Sequence, residues 1–243
     1  DARVQQATLA QEPVSPAMLA TSEPANGHNI VYLINSRQMG RTRNFSSSSP
    51  IWDPITTTIG GCDPVAITKT LDFILDPNDP YNVAWAVGDT GIWRTANLNA
   101  DTPCWKNVRS MAAIIAEFAS NGITQTQTIQ GVSRIIADAS RPNYFFVVLR
   151  SVPGNPTDLS AHSGVVGWTT TNGQSWSWRQ LPKPTAGDLR AGLGTYCGAP
   201  TGVANAQDGS GRIWLGVCSW SNNDLAFIVY SADYGNSWQV IWY

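Results

Sequence analysis

The sequence predicts an all-β fold of four repeated units, each a four-stranded antiparallel sheet. Two repeats and the composition carry this expectation. Leu71–Val87 and Val132–Val148 both read as strand, Asp-x-x-x-Pro turn, strand, with Asp76 and Asp138 standing 62 positions apart. In each turn the Asp can hydrogen-bond the backbone two residues on, and the Pro fixes φ ahead of the next strand. The second repeat is Ser231-Ala232-Asp233-Tyr234-Gly235-Asn236-Ser237-Trp238. A looser copy, Thr169-Thr170-Thr171-Asn172-Gly173-Gln174-Ser175-Trp176, sits 62 positions earlier. Only 13% of the 243 residues are charged, against 21 Gly, 15 Pro and 11 Trp, which suits short strands joined by many turns.

Taken in order, residues 1–13 are polar, lack a clear period and read as an arm or linker, with a short helix expected over Val4–Gln11. The first unit is expected over about 14–60. It carries the strand Asn29–Asn35, the run Gly40–Asn44, a serine-rich turn Ser46–Ser49 and Ile51–Ile55, without a readable copy of the Ser-x-Asp turn. The second unit spans about 66–110. Gly91–Thr95 forms its third strand, and Asn97 opens a longer turn through Pro103. Met111–Ser120 is rich in Ala and holds Glu117, so a short helix or loop is expected between the second and third units. The third and fourth units occupy about 131–182 and 200–243. The Pro- and Gly-rich stretches Val152–Ser163 and Lys183–Tyr196 read as loops on one rim. Within 231–238, Ser231, Asp233 and Ser237 can bond the backbone, Gly235 supplies a positive φ, and Trp238 is an apolar anchor.

Cys62, Cys104, Cys197 and Cys218 lack Cys-x-x-Cys spacing, and His28 and His162 stand near none of them, so no metal site is expected. Two disulfides formed in an oxidising compartment are expected. Chain order suggests Cys62–Cys104 and Cys197–Cys218, although four cysteines allow three connectivities. A net charge of -2 argues against nucleic acid as a partner, and no apolar stretch is long enough for a transmembrane helix. A start at Asp1 rather than Met reads as a processed or excised piece.

The pattern Ser-x-Asp-x-Gly-x-Ser-Trp at 231–238 resembles the Asp-box, or BNR repeat, at every defining position. The resemblance covers roughly residues 71–243 and implies a β-propeller. Sialidases, xyloglucanase-type glycoside hydrolases, sortilin-like receptors and photosystem-assembly factors carry such boxes. In them the box is the hairpin turn between the third and fourth strands of a blade, away from the active centre. By this resemblance Ser231, Asp233, Gly235, Ser237 and Trp238 are structural, as are Thr169, Gly173 and Trp176 in the looser copy. Propellers of this kind usually have six or more blades. Four recognisable blades are therefore expected to be a piece of a larger ring, with a complete small ring, or further units hidden in the loops, as the other readings.

Sialidase chemistry is disfavoured. No Arg-Ile-Pro motif is present, Arg134-Ile135-Ile136 being the nearest, and the glutamates are only Glu12, Glu23 and Glu117. Val83–Arg94 looks like the first-blade stretch of the xyloglucanase type, with one Gly fewer in the turn. That resemblance makes Asp89 the alternative catalytic carboxylate, acting as general base, with Asp63, Asp188 or Asp208 as equal candidates for the partner acid. Asp89 also reads as an ordinary turn residue in Gly88-Asp89-Thr90-Gly91. Trp220, in a Ser-Trp-Ser-Asn-Asn turn, is the candidate for stacking on a sugar, whereas the strand tryptophans read as packing between units. The expected protein is a secreted, periplasmic or cell-surface propeller with no cofactor. It serves as a non-catalytic binding or structural module with a protein partner or another chain completing an assembly, and carbohydrate as a further candidate ligand. The alternative is part of a xyloglucanase-type glycoside hydrolase.

Overall fold

Sixteen strands form four antiparallel sheets of four in a computed structural model, which describes residues 18–22, 30–34, 39–44, 47–55, 62–63, 69–123, 128–152, 164–182, 196–219 and 225–242. The first sheet is β1 (Met18–Ser22), β2 (Ile30–Ile34), β3 (Met39–Thr42) and β4 (Asp53–Pro54). The second is β5 (Thr70–Leu75), β6 (Ala84–Gly88), β7 (Gly91–Thr95) and β8 (Trp105–Ser110). The third is β9 (Thr128–Ala137), β10 (Phe145–Val152), β11 (Val165–Thr169) and β12 (Ser177–Gln180). The fourth is β13 (Tyr196–Asn205), β14 (Ile213–Ser219), β15 (Leu225–Ser231) and β16 (Gln239–Trp242). Every sheet is a meander in chain order, which makes each one a propeller blade. The arm expected at 1–13, the helix expected in it and both Pro- and Gly-rich loops lie outside the described residues, apart from Val152, which ends β10, and Tyr196, which begins β13.

The Asp-x-x-x-Pro turns do what their chemistry requires. Asp76 Oδ1 accepts from the Asn78 N–H at 3.0 Å, and Asp138 Oδ1 from the Ser140 N–H at 2.9 Å. The fourth blade repeats this through Asp208, whose Oδ1 accepts from the Ser210 N–H at 2.9 Å. Between the second and third blades stands α1 (Met111–Glu117), followed by a 3-10 turn at Ala119–Asn121. Ser110 caps α1 by accepting from the Ala113 N–H at 3.2 Å. Ile114 and Phe118 then seal the edge of the joint between these blades, and the Trp178 indole donates to Glu117 Oε2 at 2.7 Å.

Three apolar joints hold the blades together. Tyr32, Phe73, Trp93 and Trp105 fill the first, and Trp85, Phe145, Trp176 and Trp178 the second. Phe146, Trp168, Leu215 and Val229 fill the third. Full burial of a side chain of this size contributes about 2–3 kcal/mol, so the joints dominate the stability of the arc. A buried carboxylate also crosses the second joint: Asp72 Oδ2 accepts from the Ile135 N–H at 3.0 Å. Burial pushes the Asp72 carboxyl above the usual range against the pull of its two N–H donors, Ile135 and Phe73. Among the described residues no strand of the fourth blade makes more than marginal contact with a strand of the first. Cys62 and Cys104 form a disulfide, with Cα atoms 5.6 Å apart, tying the linker before the second blade to that blade's outer strand. Cys197 and Cys218 lie on the adjacent strands β13 and β14, and their side chains are outside the described residues.

Gly173 tests the tightness of the second joint. Its φ is +83°, and a Cβ there would stand 2.8 Å from both the Trp85 ring and Val108. Replacing Gly173 with Ala is expected to destabilise the protein by about 1–3 kcal/mol in urea unfolding, through strain and overpacking together. An unchanged midpoint would refute that packing.

Candidate functional site

The turn between the third and fourth strands has one hydrogen-bond plan in all four blades. In the fourth, Ser231 Oγ accepts from the Gly235 N–H at 2.8 Å, and Asp233 Oδ1 accepts from the Ser237 N–H at 2.8 Å. In the third, Thr169 Oγ1 accepts from the Gly173 N–H at 3.0 Å, and Thr171 Oγ1, standing in for the carboxylate, accepts from the Ser175 N–H at 2.9 Å. In the second, Thr95 pairs with Asn97, whose Oδ1 accepts from the Cys104 N–H at 2.8 Å. The first blade carries the same device, which the sequence reading missed: Thr42 pairs with Asn44, and Asn44 Oδ1 accepts from the Ile51 N–H at 2.9 Å. In every case the capped N–H belongs to the residue just before a tryptophan: Trp52, Trp105, Trp176 and Trp238. The signal available in the sequence was the parallel between Thr42-x-Asn44 and Thr95-x-Asn97. Amide for carboxylate and a longer loop disguised it.

These turns set the faces of the blades. The residue before each Ser or Thr points toward the following blade, opposite a large aromatic residue on the second strand. The pairs are Tyr32 with Arg41, Trp85 with Arg94, Phe146 with Trp168 and Trp214 with Tyr230. The first three aromatics meet the next blade. Tyr32 lies 5.7 Å from Phe73, Trp85 4.4 Å from Phe145 and Phe146 5.8 Å from Trp238, ring centre to ring centre. Trp214 and Tyr230 meet each other at 5.5 Å and join none of the three apolar joints. Ile241, on the adjoining strand, is 47% exposed. The second-strand aromatic of the fourth blade is therefore half-buried, whereas those of its three predecessors are buried.

Asp89 sits in the turn between β6 and β7. Its Oδ1 accepts from the Lys69 N–H at 3.1 Å, and its own N–H donates to the Lys69 carbonyl at 3.2 Å. Asp208 stands in the turn between β13 and β14, which lies at the opposite rim of the arc from the turns between second and third strands. Asp63 caps the outer strand of the second blade, its Oδ2 accepting from the Asn107 N–H at 2.9 Å. Asp188 and Trp220 lie outside the described residues. The geometry does not bring Asp208 to Asp89. Among the described residues no three His, Cys, Asp or Glu side chains gather as a metal site, and no helix is long and apolar enough to cross a membrane.

No protein-family model matches the sequence, and no curated protein sequence matches it. Solved structures with a similar trace include the GH74 xyloglucanase from Xanthomonas campestris, with a TM-score of 0.48 and 15% identity over 87% of this chain. The GH43 endo-arabinanase from Bacillus licheniformis has a TM-score of 0.39 and 13% identity over 88% of this chain and 71% of its own. The GH74 enzyme from Niastella koreensis has a TM-score of 0.32 and 12% identity over 86% of this chain and 35% of its own. This chain spans 29% of the length of the Xanthomonas enzyme.

The turn in the fourth blade carries a pH signature. Desolvation opposes ionisation of Asp233, but the Ser237 hydroxyl and N–H and the Ser231 hydroxyl outweigh it and hold the carboxyl below its usual range. A depressed folded-state value makes this contribution present above the unfolded value of about 3.9 and lost as the pH falls through the folded one. Urea unfolding of Asp233→Asn beside the parent is expected to show a stability deficit at pH 7 that narrows as the pH falls below about 4. A deficit constant across that range would contradict the assignment.

Proposed function

We propose that this chain is a non-catalytic binding and assembly module of the Asp-box propeller superfamily, and that the open face of its fourth blade receives a further blade. The observation that carries this reading is the Trp214–Tyr230 pair, in which half-buried Trp214 occupies the second-strand position that buried Tyr32, Trp85 and Phe146 hold at the three joints. What covers the equivalent pairs defines the occupant. It is a blade with apolar residues on its second strand, such as Ala84 and Ala86, Phe145 and Val147, or Ile213 and Leu215, and a tryptophan after its capped turn. The chain supplies part of that chemistry itself: Leu33, beside Tyr32, is half-buried, and the half-buried Trp52 follows the capped Ile51, while Val31 is already buried. A second copy docking head to tail is therefore the occupant we favour. Two arcs of four blades make eight, within the range that propellers adopt.

A hydrolase reading requires Asp89 to take up and release a proton beside a second carboxyl. Its bonding to Lys69 favours a structural use instead. The disulfide Cys62–Cys104 supports residence in an oxidising compartment, as expected of a secreted, periplasmic or surface protein.

Native mass spectrometry of the purified chain is expected to show a dimer or a longer head-to-tail series, and Trp214→Glu with Tyr230→Glu is expected to return it to a folded monomer. A parent protein that stays monomeric at every concentration, or a double variant that assembles as before, would overturn the proposal.

A further inference from the structure

The second joint differs from the third in one respect that packing does not explain. At the third joint Trp168 and Tyr234 fill the outer part of the groove between blades. Tyr234 packs edge-on against Tyr144 at 5.1 Å and is covered by the Arg141 guanidinium at 4.0 Å. At the second joint the repeat-equivalent positions hold Arg94 and Asn172, and a cleft of about 470 Å³ opens there. Asn172 and Tyr234 share the same place in the turn and the same left-handed backbone, with φ of 53° and 59°. At the first joint Arg41 holds the position of Arg94; its Nε and Nη2 are buried without a partner, but its Nη1 donates across the joint to the carbonyls of Leu98 at 2.5 Å and Ala100 at 3.2 Å. Arg94 makes no such bond. It lies 5.5 Å over the Trp85 ring, and its Nε is buried without a hydrogen-bond partner.

The chemistry of the cleft is one-sided. Arg94 and Lys106 both line it, no carboxylate does, and neither cation takes part in an ion pair among the described residues. Asn172 contributes a buried Oδ1 that also lacks a partner. Ala96, Val108 and Gly173 supply apolar wall. An unpartnered guanidinium fork calls for a planar anion, an orphan amide oxygen calls for a hydroxyl donor, and the apolar wall suits the face of a ring. The cavity lies within the usual size range of small-ligand sites, about 300–1,000 Å³.

We infer that this cleft between the second and third blades binds a small hydroxylated carboxylate, of which a uronic acid residue of an acidic polysaccharide is the best fit. The carboxylate lies on Arg94 with Lys106 beside it, and a ring hydroxyl donates to Asn172 Oδ1. The site is far in the repeat from the open fourth face and does not depend on the assembly reading.

The test is an NMR titration of the whole chain with glucuronate and galacturonate, their neutral counterparts glucose and galactose, and acetate as a carboxylate without hydroxyls. The uronates are expected to bind at least about ten-fold more tightly than either the neutral sugars or acetate, and to weaken as salt is raised. Arg94→Met is expected to weaken uronate binding about ten-fold or more. Because Arg94 also covers Trp85, Asn172→Asp provides the second arm. Aspartate tolerates the left-handed backbone and places a negative charge in the cleft, so it is expected to abolish uronate binding while the fold persists. Equal binding of uronates and neutral sugars, equal binding of acetate, no uronate binding, or uronate binding unaffected by either substitution would each overturn the inference.

Discussion

Each blade sets one large aromatic side chain of its second strand against the blade that follows, and the arc depends on that contact. Tyr32, Trp85 and Phe146 are each no more than 1% exposed, and each packs against an aromatic of the next blade, Phe73, Phe145 and Trp238. A single four-stranded sheet cannot bury both faces, so no unit is stable alone and each needs a neighbour. The chain is thus held together less by its strands than by a row of ring contacts running from blade to blade.

The capped turns serve that row. The strand-three residue aimed at the next blade is immediately followed by the Ser or Thr whose hydroxyl anchors the turn. One hydroxyl therefore fixes both the register of the hairpin and the direction of the joint residue. The second acceptor, whether Asp233, Thr171, Asn97 or Asn44, fixes where the fourth strand begins by taking the N–H just ahead of its tryptophan. The loop between the two anchors runs from three intervening residues in the third and fourth blades to six in the first and second. The anchors absorb that difference without moving the strands. This is why a carboxylate, a hydroxyl and an amide can all serve: what is required is an oxygen in the right place, not a charge.

That tolerance also decided what could be read from the sequence. The fourth turn was legible because Ser231, Asp233, Gly235, Ser237 and Trp238 each keep the residue type that best suits the position. The third was legible through Gly173 and Trp176, and the helix at Met111–Glu117 through its composition. The first turn was not, because Asn44 caps Ile51 across a serine-rich loop that looks like any other. Hidden more deeply were the joint faces. A tryptophan within a strand signals burial, but the sequence alone does not say that Trp85 is buried while Trp214 is half-buried. The acidic residues suffered the same limit. Asp63 and Asp208 were equal candidates as a partner acid for Asp89, and the meander of the sheets is what puts Asp208 at the other rim from Asp89.

The repeat itself then becomes a way to separate structure from use. Where equivalent positions at two joints carry interchangeable packing residues, packing is a sufficient account of them. Where one joint places Trp168 and Tyr234, and another places Arg94 and Asn172 around an open cleft, packing is not sufficient. The polar pair leaves buried groups unsatisfied that aromatic side chains would have covered at lower cost. Arg41 shows that an arginine at this position can bond across a joint through Nη1, a bond that Arg94 does not make. The same comparison applied to the fourth blade isolates Trp214 and Tyr230, which have the chemistry of a joint without the joint. Repeats that agree nearly everywhere therefore depart from their own pattern at two places, and the two binding proposals rest on those departures.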